Sequence, residues 1–396
     1  MNDTEKGWQR LVPDGIERWF KGKDAPEPVE ATPGVEWRPA AGAPTPGVSS
    51  PDPALRYEPP GVEWTPAGAL DPDAVAAPPR PCMQCGGAVD GDGYCTVCGN
   101  KAASERDHYR EEPAPWVAGV CDRGLRHSRN EDAMALGAAQ EAGTRAVLVV
   151  CDGVSSSIDS DVASLAGAEA ARDLLFSNQP QGMGVEASRS AAMQLALVQA
   201  AAAANDAVVA STDPASVNAA SATFVAAVVS EGRLFFANLG DSRAYWVPDT
   251  GRPVQLSVDD SVAQAKIEAG FTREEAENGP GAHAITKWLG RDAPDVVPRT
   301  GELEVGDGWL LVCSDGLWNY ASTPEEIGTV LAAGLASSPG NLVDVCEHLV
   351  AWANAQGGKD NITVAIARVG ALPVFATTPD AATGDEVVES APETTT

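Results

Sequence analysis

Short apolar segments that meet an aspartate at one end are the feature that most restricts how this chain can fold. Asp152 follows AVLVVC, Asp241 follows LFFANLG, Asp315 follows WLLVCS, and Asp360 stands just before ITVAIA. Carboxylates are rarely buried without a partner, and placing several at the ends of buried strands is costly unless a cation compensates them. A single Asp-Gly pair is more typical of a simple turn, so it is their joint occurrence that favours a cation site.

The apolar segments alternate with alanine-rich stretches, which indicates an α+β fold. Tight turns, such as the one at Glu231-Gly232, join the middle strands and favour antiparallel pairing over parallel βαβ winding. The pattern predicts strands at 146–151, 222–229, 233–239, 243–247, 309–313 and 362–367, and helices at 163–176, 187–210, 324–335 and 341–355.

The residue types at these strand ends fit hard divalent cations. Mg²⁺ and Mn²⁺ prefer oxygen ligands in octahedral sites that retain several waters. Two such ions about 3.5–4 Å apart can share a carboxylate and a bridging water that attacks phosphorus. Glu131 and Asp132 add two carboxylates after a short extended run, and glycines beside Asp152 and Asp315 allow the backbone to approach an ion.

Five segments, in this order, are similar to motifs of the metal-dependent protein phosphatase family, type 2C, in its bacterial form. They are CDRGLRHSRNEDA (121–133), VVCDG (149–153), ANLGDSRAYW (237–246), LVCSDGLW (311–318) and KDNITV (359–364). The resemblance covers about 116–370. It implies a four-layer αββα sandwich of antiparallel sheets flanked by helices, with a two-metal centre in a cleft at one end.

The resemblance also implies roles for individual residues. Asp152 would bridge the two ions, and the Gly153 carbonyl would bind one of them. Asp315 and Asp360 would complete one shell, and Asp241 would help to hold a third, weaker ion. Glu131 would act through water, and Asp132 would orient water or metal from just outside. The implied activity is hydrolysis of phosphoserine and phosphothreonine by a metal-bridged water, without a phosphoenzyme.

Two departures from the family pattern concern substrate handling. The family usually has an arginine four residues before the Glu131 position, where it grips phosphate, but here that residue is His127. Arg126 or Arg129 can substitute, because guanidinium is the better bidentate phosphate ligand, and His127 can contact phosphate when protonated. The segment Val154–Asp159 lacks the family's usual glycines and proton-donating histidine. The stretch 259–289, with Lys266, His283 and Lys287, matches the family's variable flap in position.

Eight cysteines fall into two groups. Cys82-x-x-Cys85 and Cys95-x-x-Cys98 have the spacing of a minimal zinc ribbon, in which four thiolates hold one structural Zn²⁺. An unmetallated cluster is the alternative. The glycines after Cys85 and Cys98 would let backbone amides turn toward the thiolates. The other cysteines (Cys121, Cys151, Cys313 and Cys346) lie singly in apolar segments and are expected to pack as small apolar side chains.

Proline marks the organisation of the remaining chain, because 15 of its 30 prolines fall in the first 80 residues. We expect either a short amphipathic helix or a partly ordered terminus within 1–20. It is followed by a disordered Pro-rich linker at 21–80, the zinc ribbon at 81–100, a linker at 101–115, the phosphatase domain at 116–370 and a disordered acidic tail at 371–396. Within the first linker an octapeptide recurs: Pro33–Ala40 is PGVEWRPA and Pro60–Ala67 is PGVEWTPA. This repeat is either a duplicated recognition motif or a duplication without function.

A net charge of −29 limits the classes of partner. No segment has a basic excess, so neither nucleic acid nor an anionic membrane surface is expected as a partner. The N-terminal stretch lacks an apolar signal core, which favours a cytoplasmic protein.

The favoured function is a protein-serine/threonine phosphatase with two or three Mg²⁺ or Mn²⁺ ions and one structural Zn²⁺. Its expected partners are phosphorylated substrates of bacterial Ser/Thr kinases, and a docking protein that binds the zinc ribbon or the GVEW repeats. The alternative is a pseudophosphatase scaffold that binds phosphoproteins without turnover. A regulator of stress or sporulation signalling would share the enzyme's chemistry and differ only in substrate.

Overall fold

Two six-stranded antiparallel sheets form the centre of the molecule. The computed structural model describes residues 36–37, 85–99, 102, 104–177 and 185–371. The first sheet has the strand order β1-β12-β8-β7-β5-β4, and the second has the order β10-β9-β13-β14-β3-β2. A two-stranded sheet of β11 and β6 lies beside them.

The strands are short, as their apolar segments predict. They are β1 (Glu36–Trp37), β2 (His108–Ala114), β3 (Val117–Asp122), β4 (Ala133–Ala138), β5 (Arg145–Cys151), β6 (Ser221–Ala222), β7 (Phe224–Ser230), β8 (Arg233–Leu239), β9 (Arg243–Pro248), β10 (Val254–Gln255), β11 (Leu289–Gly290), β12 (Arg299–Glu304), β13 (Gly308–Cys313) and β14 (Ile362–Val369).

The described part of the chain contains seven α-helices. They are α1 (Ser160–Ser177), α2 (Glu186–Ala210), α3 (Val262–Glu268), α4 (Arg273–Glu277), α5 (Asp315–Trp318), α6 (Pro324–Ser337) and α7 (Leu342–Gln356), and a short 3-10 turn covers Glu105–Asp107. Capping residues define several ends. Thr323 and Glu326 form a capping box at the start of α6, and Asn341 caps α7 through the backbone N–H of Asp344.

Three apolar layers hold the sheets and helices together. One lies between the first sheet and helices α1 and α2, and includes Val149 and Leu197. The second lies between the two sheets and includes Leu148 and Leu310. The third lies between the second sheet and helices α5, α6 and α7, and includes Leu349. This is the four-layer αββα sandwich that the resemblance implied.

The strands and helices predicted from the apolar pattern are all present, within a few residues of their expected ends. The hairpin at Glu231-Gly232 is also confirmed, since both residues have positive φ (49° and 77°), as a primed two-residue turn requires. The linker predicted at 101–115 is wrong in its second half. His108–Ala114 is strand β2, which pairs with β3 at the edge of the second sheet. Its residues are mostly polar (HYREEPA), and only exposure alternates, with Arg110 and Glu112 exposed between partly buried neighbours, as in an edge strand.

Other boundaries fall largely outside the described residues. These are the helix within 1–20, the linker at 21–80 apart from Glu36–Trp37, and the tail beyond Ala371. Helix α2 is long and apolar enough, by length and composition, to cross a membrane. A core helix passes the same test, and here Leu197, Ala200 and Val208 of α2 are buried against α1 and the first sheet.

Candidate metal centre

The acidic residues predicted as metal ligands meet at one end of the sandwich because the strand register brings their strand ends together. Ala133, the first residue of β4, pairs with Cys151, the last residue of β5, so Asp132 and Asp152 lie at the same edge. In the second sheet, Cys313 at the end of β13 pairs with Val364 near the start of β14, which brings Asp315 and Asp360 together.

Glu131 is held by the protein itself. One carboxylate oxygen accepts hydrogen bonds from Arg129 (2.7 Å) and from the Ser160 hydroxyl (2.5 Å), and the other accepts from the Ser155 hydroxyl at 2.6 Å. Burial alone would raise the pKa of Glu131, but the hydrogen bonds from Ser155, Ser160 and Arg129 outweigh it and lower the pKa. Glu131 is therefore fixed and ionised.

Gly153 packs directly against this residue. Its N–H donates to the Glu131 carbonyl at 3.1 Å, and a Cβ at position 153 would lie 2.5 Å from the same oxygen. Only glycine fits this approach, which brings the β5 turn and Glu131 together. The segment Val154–Asp159, which departs from the family pattern, contributes the Ser155 hydroxyl that binds Glu131.

Asp132 is fully buried between the two sheets. One of its oxygens accepts hydrogen bonds from the Ser314 and Thr363 hydroxyls, at 2.6 and 2.7 Å. Burial raises the pKa of Asp132 to about 7, with these hydrogen bonds opposing the rise and the charges of Asp360 and Asp315 adding to it. Its other oxygen has no hydrogen-bond partner.

Asp152, Asp315 and Asp241 share an environment that disfavours their ionised forms. Burial, followed by the charges of Asp132 and Asp315, raises the pKa of Asp152 well above its usual value. Burial and the neighbouring Asp360 raise the pKa of Asp315 to about 6, although the Asn319 amide donates to it. Burial and the charge of Asp315 likewise raise the pKa of Asp241. The protein supplies these carboxylates with too little positive charge of its own.

These observations fit divalent cations. A buried oxygen without a hydrogen-bond partner is costly, and both Asp132 and Asp315 have one here. The donor set consists of carboxylates and backbone carbonyls, which are the ligands of Mg²⁺ and Mn²⁺. Among the described residues, no three carboxylates group their oxygens as closely as the three thiols described below, whose sulfurs lie within 4.8 Å of one another.

The three basic residues before Glu131 have different surroundings. Arg129 is committed to Glu131, Ser160 and Asp161. The imidazole of His127 lies 3.2 Å from the Asp360 carboxylate and 3.7 Å from that of Glu131. Arg126 is exposed, and within the described part of the chain no ion pair is found for its guanidinium. Of the three, Arg126 is therefore the side chain with its charge available to an incoming anion.

Asn361 is a site residue to which the sequence reasoning assigned no role. Its side-chain oxygen accepts from the Glu131 backbone N–H at 2.8 Å, and its amide nitrogen donates to the carbonyls of Arg123 and Arg129. It therefore joins the start of β14 to the loop that carries His127 and Glu131. The signal was its place directly after Asp360 in a segment already identified.

Arg243 is the second residue that was overlooked. It is buried, binds Asp259 at 2.7 Å and Glu277 at 3.3 Å, and stacks on the ring of Trp318 at 3.5 Å. The Trp318 indole N–H donates to the Asp241 carbonyl at 2.9 Å. Arg243 thus connects the metal-centre edge to the flap formed by α3 and α4.

A cleft of about 650 Å³ opens between this flap and the carboxylates, and its lining includes Glu277, His283, Trp318, Lys359 and Asp360. Of the flap residues singled out in the sequence, His283 lines the cleft. Lys287 instead forms an ion pair with Asp295 at 2.8 Å.

The second predicted metal site lies in the N-terminal segment. The sulfurs of Cys85, Cys95 and Cys98 are within 4.8 Å of one another, and Cys82 lies outside the described residues. The backbone N–H of Cys98 contributes most to lowering the pKa of the Cys95 thiol to about 6, and burial opposes it. Gly86 and Gly99 have positive φ (72° and 73°), as expected for turns that direct amides toward thiolates. The remaining cysteines are buried, as predicted.

Comparison with known proteins agrees with the αββα fold. The family model "Protein phosphatase 2C" matches residues 124–356. The chain is 30% identical over 250 residues to the serine/threonine protein phosphatase PstP of Mycobacterium tuberculosis, in a match covering 63% of this chain and 44% of that protein. It is 36% identical over 141 residues to the protein phosphatase PhpP of Streptococcus pneumoniae, covering 35% of this chain and 54% of that protein. The chain thus spans about half the length of the curated relatives it matches.

Solved structures with the same fold include bacterial serine/threonine phosphatases. The enzyme of S. agalactiae superposes with a TM-score of 0.52 at 26% identity, covering 66% of this chain and all of that one. Stp1 of Staphylococcus aureus superposes with a TM-score of 0.53 at 27% identity, covering 64% of this chain and 95% of that one.

Proposed function

Because the chain belongs to the protein phosphatase 2C family, we propose that it hydrolyses phosphoserine and phosphothreonine in proteins. The observation that carries this proposal is the group of partly uncompensated carboxylates at one end of the sandwich. Asp132 and Asp315 each have a buried oxygen without a partner, and burial together with repulsion from neighbouring carboxylates raises the pKa of Asp152. A protein that used this edge only for packing would gain stability by replacing these groups.

Asp152, the Gly153 carbonyl, Asp315 and Asp360 are the groups that would hold two Mg²⁺ or Mn²⁺ ions, with Asp241 available to a third. When bound, these ions supply an activated water and neutralise charge on the phosphoryl group. Glu131 is held ionised by Arg129, Ser155 and Ser160, so it can accept a hydrogen bond from solvent at a fixed position. Asp132, farther inside, supports the same edge.

Arg126 is the side chain that we assign to the substrate phosphate. Its guanidinium is exposed, and its bidentate geometry suits phosphate oxygens. Arg129 positions Glu131 instead, and His127 bridges Asp360 and Glu131. The cleft of about 650 Å³ beside Glu277, His283 and Trp318 is the space that we assign to the peptide that carries the phosphorylated residue.

The decisive experiment measures Mn²⁺-dependent hydrolysis of a phosphothreonine peptide by the full chain and by Asp152→Asn. We expect Asp152→Asn to lower the rate by about 10³-fold, because it removes a ligand on which both ions depend. Calorimetry should show weaker Mn²⁺ binding by the same variant. Asp173→Asn, an exposed carboxylate that pairs with Arg172, is the matched control and should behave as wild type.

Equal rates from wild type and Asp152→Asn would contradict the proposal. Binding of the phosphopeptide by the wild-type protein with no turnover at saturating Mn²⁺ would instead favour a pseudophosphatase scaffold. Either result is distinguishable from misfolding, because Mn²⁺ binding and thermal unfolding are measured on the same samples.

We also propose that the N-terminal cysteines form a structural zinc ribbon with an adaptor role. Cys85, Cys95 and Cys98 already group their sulfurs, and Cys82 has the spacing to supply a fourth thiolate. Metal analysis of the purified protein should give one Zn²⁺ per chain, and none for Cys95→Ser. Loss of zinc without loss of peptide hydrolysis would agree with an adaptor, whereas wild-type protein without zinc would contradict the site.

The physiological setting belongs to the same proposal. Relatives named as serine/threonine phosphatases occur in bacteria, so we propose that the substrates are cytoplasmic proteins phosphorylated by bacterial Ser/Thr kinases.

A further inference from the structure

Two residues of the first PGVEW copy pair with the edge of the first sheet. Glu36–Trp37 forms β1, which pairs antiparallel with β12 and extends the first sheet by one strand. In this register Glu36 is opposite Glu302 and Trp37 is opposite Gly301. Without β1, strand β12 would be the exposed edge of the sheet, with a row of unpaired backbone groups that can accept an added strand.

Position 301 suits an aromatic residue in the added strand. Gly301 pairs on its other side with Phe236 of β8, so the register aligns Phe236, Gly301 and Trp37 in one row across three strands. A Cβ on Gly301 would lie 2.3 Å from the Phe236 ring. Only glycine fits beside that ring, and an aromatic residue across from a strand glycine supplies the apolar cover that glycine lacks.

The same residues occur a second time. Pro60–Ala67 repeats the first copy except that Thr65 stands where Arg38 stands in the first. Both copies have a proline at each side of the GVEW core, and proline cannot donate to a ladder. The prolines would therefore limit any strand that either copy forms to the residues between them, and Glu63 and Trp64 stand at the positions of Glu36 and Trp37 in the repeat.

We propose that the β12 edge is a receptor for PGVEW segments and that the second copy, Pro60–Ala67, exchanges with the first on this edge within one molecule. This inference is independent of the proposed phosphatase activity. Both copies belong to the same molecule and compete for the same β12 edge, so binding of one copy displaces the other.

Chain length supports exchange between the two copies. About 40 residues separate Trp64 from the start of the catalytic domain at Glu105, against about 70 for Trp37. Effective concentration falls roughly as the −3/2 power of tether length, which gives the second copy an advantage of about two- to threefold. This difference is small, so the edge should be shared rather than reserved for one copy.

Disulfide trapping in the full, zinc-loaded chain tests the proposal. Glu36→Cys with Glu302→Cys reports the first copy, and Glu63→Cys with Glu302→Cys reports the second. Position 301 is avoided because of its contact with Phe236. Glu58→Cys with Glu302→Cys is the matched control, because Glu58 lies on the same tether outside the motif. Bond identity is read by peptide mapping, and bonds within or between chains by non-reducing gel.

We expect both motif pairs to form intramolecular disulfides, with yields within about threefold of each other, and the Glu58 pair to stay far below them. In the variant Glu63→Cys with Glu302→Cys, adding Trp37→Ala should raise the disulfide yield, because the competing first copy is weakened. Adding Trp64→Ala to the same variant should lower the disulfide yield. If Glu63→Cys with Glu302→Cys forms its disulfide in no higher yield than Glu58→Cys with Glu302→Cys does, the proposal is overturned. Disulfide-linked dimers would also overturn it, because they would place the second copy on another molecule.

A second measurement does not depend on introduced cysteines. Amide hydrogen exchange of Arg299–Glu304 should be little changed by Trp37→Ala or by Trp64→Ala alone, and faster in the double variant. Faster exchange with Trp37→Ala alone, equal to that of the double variant, would show that the second copy does not occupy the edge.

Discussion

Glu131 and the group formed by Asp132, Asp152 and Asp315 lie at the same edge but are treated oppositely by the protein. Glu131 receives an arginine and two serine hydroxyls, and its pKa is lowered. The other three have raised pKa values because burial and mutual repulsion exceed the help from their neighbours. The protein thus supplies its own donors to one carboxylate and leaves the others to bound cations.

The largest expected effect concerns the pH dependence of stability without metal. The folded-state pKa values of Asp132 and Asp315 are raised to about 7 and about 6. A raised carboxyl pKa means that the folded state binds more protons than the unfolded state, so stability falls as pH rises from about 4 to 7. In EDTA we expect a loss on the order of several kcal/mol over this range.

Thermal unfolding of the full chain between pH 5 and 8, with EDTA and with Mn²⁺, checks this prediction. Bound Mn²⁺ should abolish most of the fall, because it compensates the ionised forms. If the EDTA curve is flat, or if it rises with pH, these carboxylates are not the uncompensated group described here.

The next effect concerns Asn361, which joins the start of β14 to the loop that carries Glu131. Asn361→Ala removes three hydrogen bonds to the loop bearing Glu131, and leaves a buried N–H and two carbonyls with fewer partners. We expect a loss of about 2–3 kcal/mol in the free energy of unfolding, measured by urea denaturation. Asn278→Ala, at the exposed position that follows the last residue of α4, is the control and should change little. If both variants lose the same free energy of unfolding, Asn361 does not have a special role in holding the loop that carries Glu131.

Two arginines sharpen the comparison further. Arg126→Ala should raise KM for a phosphopeptide by about tenfold, the value of one hydrogen bond to a charged group, and leave the Kd for Mn²⁺ unchanged. Arg129→Ala should instead weaken Mn²⁺ binding, because Glu131 loses its ion pair. Steady-state kinetics and calorimetry on both variants separate the roles. The reverse pattern would assign phosphate to Arg129.

The smallest effect lies at a compensated site away from the cleft. His108 bridges Asp122 at 2.7 Å and Glu347 at 2.9 Å. Hydrogen bonds to Asp122 and Glu347 raise the pKa of His108 to about 9, against the effect of burial. The interactions of protonated His108 therefore contribute fully to the free energy of unfolding below about pH 6.5, and this contribution is lost as pH rises through about 9.

His108→Gln should therefore lower stability at pH 7 by about 1 kcal/mol, after allowance for the partial exposure of the ring. The difference from wild type should close above pH 9. His348→Gln, whose ring contacts only Ser337 among the described residues, is the control. A deficit for His108→Gln that persists at pH 10 would show that packing, not charge, is responsible.

Much of this architecture could be predicted from the sequence, because apolar periodicity and turn residues act locally. The strand before Asp152, the hairpin at Glu231-Gly232 and helix α7 are examples. Strand β2 was missed, because an edge strand made mostly of polar residues and containing a proline (HYREEPA) has the composition of a linker. The two short flap helices, α3 and α4, carry too few residues for a helical period to emerge.

The residues that form the candidate site could be predicted from the sequence, but the contacts between them could not. The motifs identified the carboxylates, His127 and the two arginines as a set. Nothing local indicates that Arg129 binds Ser160, which is 31 residues away, or that Ser314 binds Asp132, which is 182 residues away. Asn361 and Arg243 were visible in the same motifs, but their contacts depend on loops and a flap brought in by the fold.

By itself, the sequence determined the elements, the family resemblance and the chemical type of each site, since residue type and local spacing set these. Only the tertiary structure decided which carboxylates the protein compensates, which arginine stays available, and where the first PGVEW copy lies. The physical reason is that desolvation, charge partners and strand edges are properties of non-local neighbours. Those neighbours exist only after distant segments have packed together.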